Sequence, residues 1–153
     1  MKVNKILGLL VLTSSLFTGC IDKDVTANFT TSDIQKINLE ISKREVLENE
    51  ITYWLKLKNN SDFTIKQNNV FVSYPLILNN GSKGNVYKVE AQGNKLDIMP
   101  GEEVVLTVST PFQGIGDKDS ISFDTPQIQV EGYLDSVNEK SKFSFNKSEE
   151  LNQ

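Results

Sequence analysis

The sequence predicts an all-β fold, an antiparallel β-sandwich of about seven to eight short strands. Three observations predict it. Apolar residues recur at every second position in run after run. Clusters of Asn, Gly, Pro, Ser and Asp separate the runs. Beyond residue 20 no stretch carries the i, i+3, i+4 apolar spacing of an amphipathic helix. A closed barrel is the rival architecture for such a pattern.

The elements follow in order. Ile37, Leu39 and Ile41 alternate with Asn38, Glu40 and Ser42; Ile51, Tyr53, Leu55 and Leu57 alternate with Thr52, Trp54, Lys56 and Lys58. Each run buries one face of a strand. The charged residues 43–49 read as the turn between them. Asn59-Asn60-Ser61-Asp62 groups residues that favour turns and ends the second strand. Val70, Val72 and Tyr74 form the next face, and Leu76 and Leu78 continue it past Pro75. Pro75 has no N–H for a ladder, so it marks an edge, a bulge or a break. Asn80-Gly81 suits a hairpin, although Ser82 to Gly84 suggest a connection longer than two residues before the strand-like Val86 to Val89. Met99-Pro100-Gly101-Glu102 puts Pro and Gly where a type II turn requires them. Val104, Leu106 and Val108 form one further face, and Ile121 with Phe123, Ile128 with Val130, and Phe143 with Phe145 mark the rest, Pro126 dividing the run from Ser120 to Leu134.

Composition narrows the chemistry. The chain has 153 residues, 38% hydrophobic and 24% charged, enough for one domain with a core of its own. It has no His and a single Cys. That excludes His-dependent acid–base catalysis, His-ligated metals, cysteine zinc sites and disulfides within the chain. The formal net charge is −4, and no run of Lys or Arg forms a stripe. A phosphate backbone gains little from such a surface, so nucleic acid is not an expected partner. Attachment to a membrane has to rest on something other than charge.

The first twenty residues, MKVNKILGLLVLTSSLFTGC, supply that alternative. Lys2 and Lys5 form a positive start, Ile6 to Phe17 a short apolar stretch, and Thr18-Gly19 a small-residue site. This is the layout of an export signal, and the stretch is too short for the roughly 20 apolar residues of a spanning helix. Phe17-Thr18-Gly19-Cys20 resembles the lipobox of bacterial lipoproteins, although position 17 is Phe where that family usually has Leu. The resemblance implies that the Cys20 thiol receives a diacylglyceryl group and that cleavage before it makes Cys20 the first mature residue. Two acyl chains hold far better than one, because each buried methylene contributes about 0.8 kcal/mol. The expected organisation is a signal peptide over 1–19, a lipidated Cys20 with a polar tether over 20–33, a sandwich over 34–147 and a polar tail over 148–153.

Residues 51–108 also resemble the small immunoglobulin-like domains of many bacterial lipoproteins. The resemblance rests on Tyr53-Trp54-Leu55-Lys56-Leu57-Lys58-Asn59-Asn60-Ser61, a strand running into an Asn-rich turn, and on Met99-Pro100-Gly101-Glu102 before a Val-rich strand. It implies a fold and no particular task. The inter-sheet disulfide of antibody domains is excluded by the single Cys.

No constellation points to catalysis. Asp117 with Asp119, and Glu102 with Glu103, are the only carboxylate pairs singled out for acid–base work, and neighbouring carboxylates in turns are usually just solvated. Asp117 and Asp119 are weak metal candidates, lacking the length and Gly placement of a calcium loop. Gln113-Gly114-Ile115-Gly116 has neither the Lys nor the following helix of a phosphate loop. Trp54 is the candidate binding residue, an aromatic on the polar face of its strand. The alternative reading covers it with Lys stems or a neighbouring loop. The expected function is therefore a non-enzymatic lipoprotein on the extracytoplasmic face of a bacterial cell membrane. It needs no cofactor, is moored through Cys20, and displays a sandwich for a protein or small ligand. The alternative is an accessory, inhibitory or immunity-type subunit acting on a membrane or envelope partner.

Overall fold

The computed structural model describes residues 29–115 and 117–148. The signal peptide, Cys20 and the segment up to residue 28 lie outside the described residues, as do Gly116 and residues 149–153.

The chain forms an Ig-like antiparallel β-sandwich. Its six long strands are β1 (Ile37–Val46), β2 (Glu50–Asn59), β3 (Ile65–Ser73), β8 (Glu103–Pro111), β9 (Gln127–Leu134) and β10 (Lys142–Ser148). Four short ones, β4 (Leu76–Leu78), β5 (Gly81–Lys83), β6 (Val89–Glu90) and β7 (Asp97–Ile98), fall between β3 and β8. One sheet has the order β1-β2-β8 and the other β10-β9-β3-β6, with β7 also paired to β3. Ladder partners such as Leu39, Leu57 and Val104 in one sheet, and Phe145, Val130 and Val70 in the other, bring apolar residues of adjacent strands level. The two inner faces meet in a core that includes Leu39, Ile51, Tyr53, Leu55, Leu57, Ile65, Val70, Leu106, Ile128, Val130 and Leu134. Each such side chain stabilises the fold by about 1.5–3 kcal/mol on full burial.

The strands run between two ends. At one end the chain enters, Asn60 N–H donates to the Lys36 carbonyl (3.1 Å), and the 59–64, 93–102 and 135–141 connections turn. At the other end lie the 47–49 turn, the 74–88 connection and the 111–126 loop. We call these the entry end and the far end.

Several local outcomes differ from the sequence expectation. Residues 43–46 are not turn but continue β1, because a bulge between Ile41 and Lys43 shifts the register. The extra residue restores alternation with the opposite parity, so the charged run still lies on a paired strand. The Ser42 hydroxyl bonds the Trp54 carbonyl at 3.0 Å where the ladder is interrupted. Leu76 and Leu78 do not extend β3. After Pro75 the chain folds into the β4–β5 hairpin with Leu78 opposite Gly81, a two-residue turn shorter than expected. Val86 to Lys88 form no strand, since only Val89 and Glu90 find partners, on β3. Ile121 makes a single bridge to Leu76 rather than a strand with Phe123. A short helix, α1 (Thr31–Gln35), also occupies part of the segment read as tether, and Phe29 packs against the core. Thr30 N–H and its hydroxyl both donate to Asp33 Oδ2 at 2.9 Å, and Asp33 N–H donates back to the Thr30 carbonyl at 3.0 Å, which sets the helix start.

The 99–102 turn has the expected form. Gly101 sits at φ +80, and Glu102 N–H donates to the Met99 carbonyl at 3.0 Å. The Glu102 carboxylate accepts from Met99 N–H at 2.9 Å and pairs with Lys95. Those bonds, Lys95 first, hold its pKa below the usual carboxylate range.

Candidate functional site

Trp54 lies in the middle strand of the three-stranded sheet, on the outer face and half-buried. In register it stands between Lys43 on β1 and Thr107 on β8. The Lys43 ammonium sits 4.3 Å from the centre of its ring, a cation–π contact that covers part of the indole. The bulge in β1 makes this possible, since without the extra residue position 43 would face inward. The rows on either side are Glu40, Lys56, Val105 and Glu45, Thr52, Ser109. Lys56 pairs with Glu40 at 3.6 Å, and the Thr52 and Ser109 hydroxyls are 2.8 Å apart. The face around Trp54 is thus largely self-paired, with Val105 as its exposed apolar neighbour.

Asp117 and Asp119 sit in the far-end loop, on a 3-10 turn over Lys118–Ser120. The Asp117 carboxylate accepts from Asp119 N–H at 3.2 Å and from the Ser120 hydroxyl at 3.0 Å. It therefore caps the turn. Asp124, in the same loop, is bound to Arg44 instead. Among the described residues no group of three His, Cys, Asp or Glu is placed to hold a metal ion. Glu102 and Glu103 part company: Glu102 is engaged in its turn and Glu103 starts β8, exposed.

The far end carries a cluster that the sequence reading did not assemble. Tyr53 from β2, Tyr74 after β3, and Phe112 and Phe123 from the long loop form a chain of aromatic contacts. Ring centres are 6.2 Å apart for Tyr53–Tyr74, 5.0 Å for Tyr74–Phe123 and 5.2 Å for Phe123–Phe112. Such tilted and edge-on pairs each contribute about 0.5–1.5 kcal/mol beyond burial. The phenols are satisfied inside the protein. Tyr53 donates to the Phe123 carbonyl at 2.8 Å, and the Tyr74 and Thr110 hydroxyls are 3.0 Å apart. Burial pushes the Tyr53 hydroxyl up to about 12, against the opposing charge of Arg44, and pushes Tyr74 up as well. Arg44, turned inward after the bulge, donates from Nη2 to Asp124 Oδ1 at 2.7 Å. Lys118 lies 4.1 Å from the centre of the Phe112 ring. These contacts tie the 111–126 loop to both sheets.

Around this cluster the far end presents apolar side chains to solvent. Val46 and Leu47 flank the β1–β2 turn, Ile77 and Leu78 lie on the β4–β5 hairpin, and Val86 and Tyr87 follow it. Val86 is 97% exposed. A shallow depression of about 450 Å³ beside the turn is lined by Asn49, Glu50, Phe112, Gln113 and Lys118. The entry end exposes Leu96, Met99 and Val137. The signal available in the sequence was the apolar content of loops, Leu47, Ile77 and Val86 among turn formers. The charged run 43–49 hides Leu47 in a turn, and period-two reading assigns the stretches around Ile77 and Val86 to strands instead.

The fold and this end of it define a class: an all-β sandwich whose far-end loops, braced by an aromatic cluster, present an open surface. No family model matches the chain, and no curated protein matches it. Among solved structures it is similar to crystal structures of a β-glucosidase from Kluyveromyces marxianus, one selenomethionine-labelled and one in complex with glucose. The identities are 18% and 22%, each with a TM-score of 0.35. The alignments cover 76% and 75% of this chain and 14% of the enzyme. A likeness at that score does not bear on what this protein does.

Proposed function

We propose that the protein is a non-catalytic lipoprotein, moored outside the cytoplasm through Cys20, that holds a partner protein of the cell envelope with the far-end loops. The observation that supports this most is the separation of the two ends. The chain enters the sandwich through Phe29 and α1, while Val46, Leu47, Ile77, Leu78, Val86 and Tyr87 are exposed at the opposite end. Exposed large apolar side chains mark interaction surfaces when they gather. A chain tied down before residue 29 directs that end away from its mooring.

Length adds to the argument. The nine residues from Cys20 to Phe29 reach at most ~30 Å, and a ten-residue strand adds ~33 Å. The far end then works within about 60 Å of the bilayer, the reach of a neighbouring membrane or envelope protein. A shallow, open surface fits a protein better than a small molecule, which favours an enclosing cavity.

Two experiments test the reading. A Cys20→Ser variant should stop incorporating labelled fatty acid and should accumulate uncut or appear in the medium. Unchanged labelling defeats the mooring. For the surface, photo-crosslinkers placed at positions 47, 77 and 96 of the lipidated protein are compared in intact cells. One defined envelope protein should be captured from 47 and 77 and lost in Leu47→Asp. Capture from 96 alone would overturn the assignment of the far end.

A further inference from the structure

We infer that the outer face of the β10-β9-β3-β6 sheet carries a second binding site, a groove for a neutral, hydroxyl-rich oligosaccharide. The groove has a volume of about 400 Å³ and lies at the far-end half of that sheet. Its floor is built across three strands in register. Ser73 on β3, Gln127 on β9 and Ser148 on β10 form one row; Gln129 and Asn146 form the next. Lys88 closes one side and binds Gln129 Oε1.

The chemistry of the lining selects the ligand by exclusion. Among the described residues no carboxylate lines the groove, so nothing in that lining offsets the charge of a metal ion. Lys88 is the one cation in the lining and is already bound to an amide oxygen, so a polyanion finds no cluster of charge. An apolar ligand would have to displace water from amides and hydroxyls without replacing their hydrogen bonds. What matches is a ligand offering both donors and acceptors at short intervals. An Asn or Gln amide carries two donors and an acceptor with two lone pairs, and a sugar's adjacent hydroxyls answer both.

The spacing fits as well. Neighbouring strands place equivalent side chains about 4.8 Å apart, and next-but-one residues along a strand about 6.7 Å apart. Amides and hydroxyls at those intervals can engage successive positions along a chain of sugar rings. Gln127 and Asn146 make no side-chain hydrogen bond to the described residues, so their amides are free to bind ligand. Phe71, half-buried and level with Gln129 in the register, is the apolar neighbour of the polar row. Sites of this kind bind through a few placed polar groups and one apolar surface.

This site is separate from the far-end loops and does not depend on lipid attachment. The test uses the full chain titrated with cellohexaose, chitohexaose and xylohexaose, followed by calorimetry and by amide NMR signals. A heparin hexasaccharide serves as the charged comparison. The expected result is saturable binding of at least one neutral hexasaccharide at millimolar concentration, with the Gln127 and Asn146 side-chain signals shifting. Gln127→Ala and Asn146→Ala should each weaken it about fivefold, the effect of losing one neutral hydrogen bond. Both should leave the unfolding midpoint unchanged, and Trp54→Ala should leave binding unchanged. Absence of saturable binding for all three neutral probes overturns the inference. So does binding that is confined to heparin, or that is indifferent to both amide substitutions.

Discussion

Replacing Asn59 by Ala should remove a large part of the fold's stability, although the residue sits in a stretch that reads as an ordinary polar turn. Asn59 is fully buried. Its Nδ2 donates to the Phe63 carbonyl at 2.8 Å and the Ile98 carbonyl at 3.0 Å. Its Oδ1 accepts from the Ser61 N–H at 3.1 Å and the Ser61 hydroxyl at 2.7 Å. One side chain thus fixes the 59–64 connection to the 99–102 turn, alongside the Asn59 N–H bond to Glu102 at 2.9 Å. Alanine leaves the Ile98 carbonyl and the Ser61 N–H without these bonds in a dry site. Each orphaned group costs about 1–3 kcal/mol, and a small cavity adds to it, for a total of roughly 3–5 kcal/mol. For a domain of this size that lowers the midpoint by roughly 10–20 °C. The assay is urea and thermal unfolding, with Asn60→Ala as comparison. Asn60 is exposed one residue away and should change stability by less than about 0.5 kcal/mol. An Asn59→Ala loss under about 1 kcal/mol, or an equal loss at Asn60, would refute the reasoning.

Further predictions concern the aromatic cluster, the tryptophan and a packed glycine. Burial raises the pKa of both Tyr53 and Tyr74, so the folded state keeps their protons after the unfolded chain has lost them. Their contribution is therefore full below about pH 10 and is lost as pH rises through about 12 for Tyr53. Ultraviolet titration should show their ionisation coinciding with alkaline unfolding, and ionisation near pH 10 with the fold intact would contradict it. Trp54→Ala should cost stability only modestly, about 1 kcal/mol or less, because the ring is half-buried and lies on the outer face. A loss of several kcal/mol in chemical unfolding would instead place it in the core. Gly132→Ala should destabilise by about 1–3 kcal/mol, since an added Cβ would lie 3.0 Å from the Phe143 ring and 3.1 Å from the Lys66 carbonyl. An unchanged unfolding midpoint would show that β10 yields freely.

Residues whose role depends on one strand alone were legible in advance. Leu55 between Trp54 and Lys56 declares an inward side chain by alternation, and Pro100-Gly101 declares its turn by backbone preference. Arg44 shows the limit. Its charge suggests a turn, yet a bulge two residues earlier turns it inward, where Asp124, eighty positions away, meets it. No local pattern announces that pairing. Leu78 and Val86 failed differently: both read as strands of the sandwich, yet past Pro75 Leu78 pairs only with Gly81 in the separate β4–β5 hairpin and Val86 joins no strand.

By itself the sequence determined the all-strand class, the inward faces of the long strands, the type II turn and the absence of histidine chemistry. These follow from side-chain period, φ preferences and composition, which are properties of neighbours in the chain. Tertiary structure decided which residues became hubs and which became surface. It buried Asn59 with four hydrogen bonds, brought Tyr53, Tyr74, Phe123 and Phe112 into contact from three segments, and aligned Ser73, Gln127 and Asn146 on one face. Those arrangements depend on register between strands far apart in the chain. Register is fixed only when two sheets close over a common core, because only that burial penalises the alternatives.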